Sequence, residues 1–309
     1  MSTQNLSQHT RLTLRRQRLV IVLALLAVYI IWGSTYLGIS IAIRSIPPLL
    51  MAGTRFIISG TILLAYTRVR GFQQPTRRQW GYALMFGVMI LGIGNGAVTL
   101  AEQTVSSHVA AIIIGSVPLW MIIWSGVGGK PPGALELAGV LLGFAGIILL
   151  NFGSDLSANP VGILLLLVAN ISWSLGSYWK RGAATARGVV GAGAEMLCAG
   201  VVMLLTGLLT GERLTEMPTT ESLVAFVYLF IFGGIIAYTA YVYLLDTVRP
   251  TLATSYAYIN PVIAVILGAL IGGEAIGEYG LLALICIVGG VALIMFRREK
   301  SPTQSAGEA

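Results

Sequence analysis

Hydrophobic positions along this chain are grouped into long continuous runs, and polar residues are confined to short intervals between them. A helix rising 1.5 Å per residue needs about 20 apolar residues to cross a hydrocarbon core of about 30 Å. Ten runs meet or approach that length: residues 20–43, 49–66, 80–99, 105–127, 135–152, 160–179, 190–209, 222–245, 252–271 and 279–296. None alternates apolar with polar positions as a barrel strand must, so the runs predict spanning helices. The first run is too long for the apolar part of a cleaved leader, and no small-residue cleavage site precedes Pro47-Pro48, so it reads as a retained span.

Composition agrees with this pattern. Of 309 residues 56% are hydrophobic and 10% are charged, and mean hydropathy is +0.85, too little polar surface to cover a water-soluble globule of this size. The predicted fold class is therefore an all-α integral membrane protein. Cys198 and Cys286 both fall within apolar runs and predict neither a disulfide framework nor a metal cluster. No metal or cofactor is expected.

The net charge of +7 changes the picture through its distribution. In a ten-span chain, sixteen of the nineteen Lys and Arg residues fall on the side of the two termini: Arg11, Arg15, Arg16, Arg18, Arg68, Arg70, Arg77, Arg78, Lys130, Lys180, Arg181, Arg187, Arg249, Arg297, Arg298 and Lys300. Arg44 and Arg213 fall opposite, and Arg55 lies within a span. Positive charge stays cytoplasmic, so both termini are predicted inside, and a nucleic-acid partner is not needed to explain the charge. The opposite loops carry Glu102, Asp155, Glu212, Glu216, Glu221, Glu274 and Glu278. Residues 1–18 and 299–309 read as disordered cytoplasmic tails.

Offset by about 140 residues, the chain repeats weakly. MAGTRFIISGTILL (51–64) aligns with GAGAEMLCAGVVML (191–204), placing Gly53 over Gly193, Gly60 over Gly200 and Arg55 over Glu195. Trp32 to Tyr36 corresponds to Trp173 to Tyr178, and the segment around Pro118 to that around Pro261. With five spans per repeat, the second copy is inverted, a construction that secondary transporters place around a site near the bilayer midplane. The organisation expected is a first repeat over residues 19–153 and a second over 154–298, two inverted five-helix repeats around a central cavity.

Three stretches, YIIWGSTYLGISIAIRSIPPLLMAGTRF, GIGNGAVTLAEQTV (92–105) and TLATSYAYINPVIAVILGALIGGE (251–274), resemble the ten-helix EamA-type exporters of the drug/metabolite transporter superfamily, and within it the YedA-like inner-membrane permeases. The likeness runs over residues 20–296. It implies two inverted five-helix bundles, a bacterial inner-membrane location and export of small metabolites or amino acids, with the helix carrying Glu195 outside the set that forms the cavity. A Gly-Glu pair after the ninth helix fits that family as Gly273-Glu274, whereas the first half has Gly129-Lys130.

Tyr29, Trp32, Tyr36 and Ser40 recur every three to four residues and form one stripe on the first helix. Gly33 and Ser34 read as helix-packing positions, while Trp32 and Tyr36 read as cavity lining. Matching faces carry Asn95 and Thr99 on the third run, Asn170, Trp173 and Ser177 on the sixth, Tyr238 and Tyr241 on the eighth, and Tyr258 on the ninth. These are the candidate substrate-binding residues. Asn95 and Asn170, costly in hydrocarbon, either close interhelical hydrogen bonds or bind the solute. Pro118 and Pro261 are candidate gating hinges within their spans. Arg55 and Glu195, on helices of opposite direction and each near its own end, are expected to find separate partners. Lys130, Lys180 and Lys300 fall in loops or the tail, leaving Glu102 as the candidate coupling group and His108 beside it as a solvated loop residue.

Paired carboxylates, histidine clusters and activated nucleophiles at membrane depth are missing from the sequence, which argues against an enzyme. The function expected is a secondary transporter exporting small organic metabolites, amphipathic or aromatic, by alternating access. The alternatives are a lipid or polyprenyl-carrier translocase and a polytopic enzyme acting on lipid. Its partners are a small-molecule solute and the bilayer, with the chain a monomer or a weak homodimer.

Overall fold

A computed structural model describes residues 3–105, 110, 113–129, 131–150, 159–272 and 279–296, and every regular element among them is helical. In chain order these are α1 (Thr3–Ala42), α2 (Pro48–Val69), α3 (Arg77–Ala101), α4 (Val117–Val127), α5 (Ala134–Leu150), α6 (Pro160–Lys180), α7 (Gly188–Leu209), α8 (Thr220–Thr247), a single turn at Pro250–Ala253, α9 (Tyr256–Gly272) and α10 (Gly280–Phe296). Among the described residues six helices are long and apolar enough to cross a membrane by length and composition: Arg15–Ala42 of α1, and α2, α3, α6, α7 and α8. Val117–Val127, Ala134–Leu149 and Leu282–Ile294 are shorter apolar helices.

The helix starts follow local chemistry. Thr76 opens α3 with a capping box: its hydroxyl accepts from Gln79 N at 3.3 Å while the Gln79 side chain accepts from Thr76 N at 2.9 Å. Asn159 caps α6 ahead of Pro160, and Thr219 caps α8. At α2 the cap comes from across the fold, where the Glu212 carboxylate accepts from Leu49 N at 3.1 Å and Leu50 N at 2.9 Å. A carboxylate there also suits the positive end of the helix dipole.

Two expectations are corrected here. α1 begins at Thr3 rather than after a disordered tail, because residues 3–20 contain no glycine or proline to interrupt a helix that continues into the first apolar run. Pro118 does not lie inside a helix: it occupies the first turn of α4, directly after a turn at Gly115 and Ser116, where its missing N–H costs nothing and its fixed φ fits. Pro261 does lie inside α9. Gly273-Glu274, Lys130, His108 and residues 299–309 lie outside the described residues.

Two backbone contacts organise the packing. Along α2 and α7, a Cβ placed on Gly53 would lie 2.6 Å from Leu204 N and 2.9 Å from Gly200 O, and one on Gly60 would lie 2.6 Å from Leu197 N and 2.7 Å from Gly193 O. Gly53 thus meets Gly200 and Gly60 meets Gly193, which makes the helices antiparallel and leaves no room for a side chain between them. α5 and α10 repeat the arrangement, with Gly139 against Gly290 O at 2.7 Å and Gly146 against Ala283 O at 3.0 Å. Where lipid is as apolar as leucine, such close approach is the main source of helix association. Leu19, Leu23, Leu26 and Ile30, at helical spacing on α1, are exposed, as residues facing lipid are.

Two helices depart from α geometry. Val88–Asn95 within α3 and Leu229–Tyr238 within α8 are π-helical. In each, a hydroxyl or indole from another helix bonds a carbonyl: Ser172 Oγ donates to Met89 O at 2.8 Å, Ser59 Oγ to Phe230 O at 2.9 Å and Trp32 Nε1 to Gly233 O at 3.2 Å. The wider winding misaligns the backbone ladder, and side chains from neighbouring helices supply the additional donors.

Replacing Gly53 by Ala is expected to destabilise the protein by about 1–3 kcal/mol, since the methyl meets backbone rather than a yielding side chain. Gly81→Ala, a position with nothing within 4 Å, is expected to leave the melting temperature unchanged or raise it. Thermal melts of the two variants in detergent check the contrast, and equal losses would show that the α2–α7 contact is not what holds the helices.

Candidate functional site

The central cavity is bounded by seven segments. Trp32, Thr35, Tyr36 and Ile39 of α1 face Asn170 and Trp173 of α6, with Arg55 and Phe56 of α2, Leu91, Gly94, Asn95 and Val98 of α3, and Ile114 and Val117 around the start of α4. Gly233 and Tyr238 of α8 and Tyr256 and Asn260 of α9 complete the lining. Six predicted residues, Trp32, Tyr36, Asn95, Asn170, Trp173 and Tyr238, are therefore brought together.

One end of the cavity is an aromatic wall centred on Trp32. Its ring lies 5.4 Å from Trp173 at 83° and 4.7 Å from Tyr256 at 79°, both edge-to-face, and 5.1 Å from Tyr241. These are the preferred geometries of aromatic pairs, which bring the positive edge of one ring to the negative face of another. Small residues make room for the indoles: a Cβ on Gly94 would lie 2.9 Å from the Trp173 ring.

Four predicted residues lie elsewhere. Tyr241 and Ser177 sit behind the wall, where the Tyr241 hydroxyl accepts from Trp173 Nε1 at 3.0 Å and meets Ser177 Oγ at 2.8 Å. Thr99 is buried and donates back to Asn95 O at 2.9 Å, because a threonine one turn after a residue readily bonds its carbonyl. Tyr258 is in a separate apolar cluster with Val140, Ile147 and Ile287, its hydroxyl donating to Val140 O at 3.2 Å. Two residues earlier, about 200° around the helix, Tyr256 takes the cavity position.

The polar groups bonded at membrane depth have resolved partners. Asn95 Oδ1 accepts from Arg55 Nη2 at 2.7 Å. Asn170 Nδ2 donates to Ile113 O and, at 3.0 Å, to Ser116 Oγ, tying α6 to the segment that leads into α4. Both asparagines thus close interhelical bonds, yet among the described residues Asn170 Oδ1 has no partner, nor do Arg55 Nε and Asn260 Oδ1, and all three are buried. These are the atoms a solute could meet.

Glu195 pairs with Lys180 at 2.7 Å, and the same carboxylate oxygen accepts from the Tyr238 hydroxyl at 2.7 Å. Both charged side chains are almost fully buried, at 2% and 1% exposure. Arg55 and Glu195 do find separate partners. Lys180, however, is not a loop residue: it is the last residue of α6, and its chain reaches back into the bundle. Through Tyr238 the pair touches the cavity that Glu195 itself does not line.

Glu102 follows the end of α3. Both of its carboxylate oxygens are enclosed and have no hydrogen-bond partner among the described residues. Burial holds its carboxyl well above the usual range, against the opposing charge of Arg55.

A second concavity of about 680 Å³ lies on the far side of α1, lined by Ser34, Leu37, Gly38 and Ile41 together with Val224, Ala225 and Tyr228 of α8. Ser34 meets the Tyr228 hydroxyl at 2.5 Å. Consecutive residues of α1 thus serve two spaces, Thr35 and Tyr36 the cavity, Ser34 and Leu37 the groove.

A family model described as the EamA-like transporter family matches residues 19–152 and again 160–296. The inner membrane transporter YedA of Escherichia coli (strain K12), itself uncharacterized, is 44% identical over 290 residues, covering 94% of this chain and 95% of its own. Protein PecM of Dickeya dadantii (strain 3937) is 24% identical, covering 89% and 94%. A solved crystal structure has a TM-score of 0.75 at 22% identity, covering 90% of this chain and 98% of its own, and so shares the fold. These names point to transport rather than catalysis.

Two predictions follow from the buried charges. Lys180→Met is expected to cost about 3–5 kcal/mol by stranding Glu195, and Lys180→Met with Glu195→Leu to recover most of it. A double-mutant melt series in which the double variant is no better than the single would dissolve the pair as a unit. For Glu102, a folded-state pKa above the unfolded one means that the folded protein binds more protons between the two. Its contribution is therefore fully present below the ordinary carboxylate pKa of about 4.5 and is lost as pH rises through the raised one. Melting temperature is expected to fall over that window in the wild type and to flatten in Glu102→Gln; identical slopes would show that Glu102 titrates as a solvated group.

Proposed function

Because this chain belongs to the EamA-like transporter family, we propose that it is a secondary transporter that exports small organic metabolites, amphipathic or aromatic in character and including amino acids, across the bacterial inner membrane by alternating access. The observation that carries this reading is the meeting of Trp32 and Trp173 at 5.4 Å in the cavity wall. They are equivalent landmarks of the two proposed repeats, and rocking of one repeat against the other parts or joins them.

Ten spans in two inverted five-helix repeats are supported by reciprocity. Gly53 contacts Gly200 while Gly60 contacts Gly193, so aligned residues of the two repeats exchange partners as a two-fold axis requires. Trp32 reaches Gly233 in the π segment of α8, and Trp173 lies over Gly94 in that of α3, a second exchange of the same kind. The basic residues gathered on one side support cytoplasmic termini. We assign proton coupling, where transport has it, to Glu102, and gating movement to α9 at Pro261.

Alternating access also fits the size of the cavity, about 70 Å³. That is room for a few waters and far below the roughly 300 Å³ at which small-molecule sites begin. A metabolite enters only after the wall moves. The groove outside α1 supports a second reading, a lipid or polyprenyl-carrier translocase whose substrate approaches from the side.

Efflux of aromatic metabolites from loaded proteoliposomes is expected to fall at least severalfold in Trp32→Ala and in Trp173→Ala, with expression intact, and to persist in Tyr258→Phe. The same assay run at equal and unequal pH, with Glu102→Gln beside the wild type, reads the coupling. Wild-type efflux from both tryptophan variants would remove the wall from the solute path, and transfer of a labelled lipid without metabolite efflux would favour the translocase.

A further inference from the structure

We propose that the transported solute is a carboxylic acid bearing a hydroxyl or amino hydrogen-bond donor, and that Arg55 is the group that docks its carboxylate. This rests on the transport reading and names the chemistry of that same cavity.

Arg55 lines the cavity at 3% exposure. A guanidinium stays protonated, so burying it requires compensation. The compensation present is partial. Asn95 Oδ1 takes one N–H at 2.7 Å, and the Phe56 ring lies 4.4 Å from the guanidinium carbon. Both partners are neutral. The ion pairs within 4.0 Å among the described residues are Lys180–Glu195 and Arg249–Glu136, and neither involves Arg55. Its Nε–H is buried and has no acceptor among the described residues. Asn95 thus orients the planar group and leaves one edge free, the arrangement in which arginine recognises a carboxylate through parallel hydrogen bonds.

The remaining unpartnered atoms in the lining have the opposite sense. Asn170 Oδ1 and Asn260 Oδ1 are acceptors, in residues at 0% and 2% exposure, and neither has a donor among the described residues. A simple apolar anion would leave both unsatisfied, at a cost of the order that lets polar sites reject analogues lacking the matching group. A donor on the solute satisfies them. The indoles of Trp32 and Trp173 then accept an apolar or aromatic body.

The test uses four probes of one shape: L-phenylalanine, 3-phenyllactate, L-phenylalaninamide and 2-phenylethylamine, titrated against tryptophan fluorescence of the purified full chain, with efflux of each from proteoliposomes in parallel. The two acids are expected to bind about tenfold or more tightly than the amide and the amine, as loss of a charge-assisted hydrogen bond predicts. Arg55→Gln is expected to erase that preference. Arg55→Lys, which keeps the charge and loses the planar fork, is expected to weaken acid binding while retaining the order, and it carries the test if Arg55→Gln does not fold. Equal binding of acid and amide, or an unchanged preference in the lysine and glutamine variants, overturns the docking role and leaves transport standing. Efflux of the amine alone does the same. Failure of the wild type to bind or release any of the four overturns the proposal together with the transport reading.

Discussion

The backbone contact between α2 and α7 decides where the charges of this protein go. Gly53 and Gly60 lie two turns apart on one face of α2, and Gly193 and Gly200 do the same on α7. Arg55 and Glu195 each follow the first of these glycines by two residues, about 200° of helical rotation. With the glycine faces pressed together, both side chains must point away from the contact and therefore away from each other. Arg55 is delivered to the cavity and Asn95, Glu195 to Lys180 and Tyr238. Opposite charges at matching places in the two halves consequently do not meet, and Arg55 keeps one buried N–H without an acceptor among the described residues.

A second constraint, that a polar group surrounded by hydrocarbon must find its partner inside the protein, shapes the rest of the interior. The π segments of α3 and α8 offer carbonyls, and Ser59, Ser172 and Trp32 use them as anchors. Each such bond joins two helices at the depth of the cavity. Satisfied groups of this kind build the wall, while Arg55, Asn170 and Asn260 each bring an atom without a partner among the described residues to its inner surface. The division follows from the neighbours available: hydroxyls on helices fold back to carbonyls three or four residues earlier, whereas long amide and guanidinium groups extend past their own helix.

The helical class and most of the wall were legible in the sequence, because apolar runs and three-to-four spacing are one-dimensional signals. Six of ten predicted binding residues line the cavity. Tyr258 was misplaced because Tyr256 and Tyr258 are equally aromatic and differ only in helix phase, which the single turn at Pro250–Ala253 resets. Pro118 reads as a kink because the apolar run continues across the start of α4, and Ser116 at the cap position turns its hydroxyl back to Ile113 O instead of capping the helix. The π segments left only a faint trace, the GIGNG and FGG clusters, since winding depends on which side chains arrive from elsewhere. Lys180 was read as a loop residue by its position at a span end, and its reach into the interior depended on Glu195, a residue of a different helix. Arg55, Asn260 and Tyr256 were absent from the predicted site for a related reason: which face of a helix turns inward is set by the packing contact on its other side.

The cavity is closed where the aromatic wall stands, and the bonds holding it differ in kind from those around it. Trp32 to Gly233, Trp173 to Tyr241 and Tyr29 to Ser255 are neutral hydrogen bonds at 3.2, 3.0 and 2.6 Å. Each contributes about 0.5–1.5 kcal/mol net, so releasing all three is comparable to the 4.1 kcal/mol of a millimolar binding event. The Lys180–Glu195 pair costs about as much to break on its own. On the alternating-access reading proposed above, opening releases the ring contacts one at a time, each at less cost than the ion pair, and Tyr238, which touches both, is the edge against which the wall moves. On the same reading, a solute docked on Arg55 and spread over the indoles gains contacts only once they have parted. That differential affinity is what shifts a two-state equilibrium.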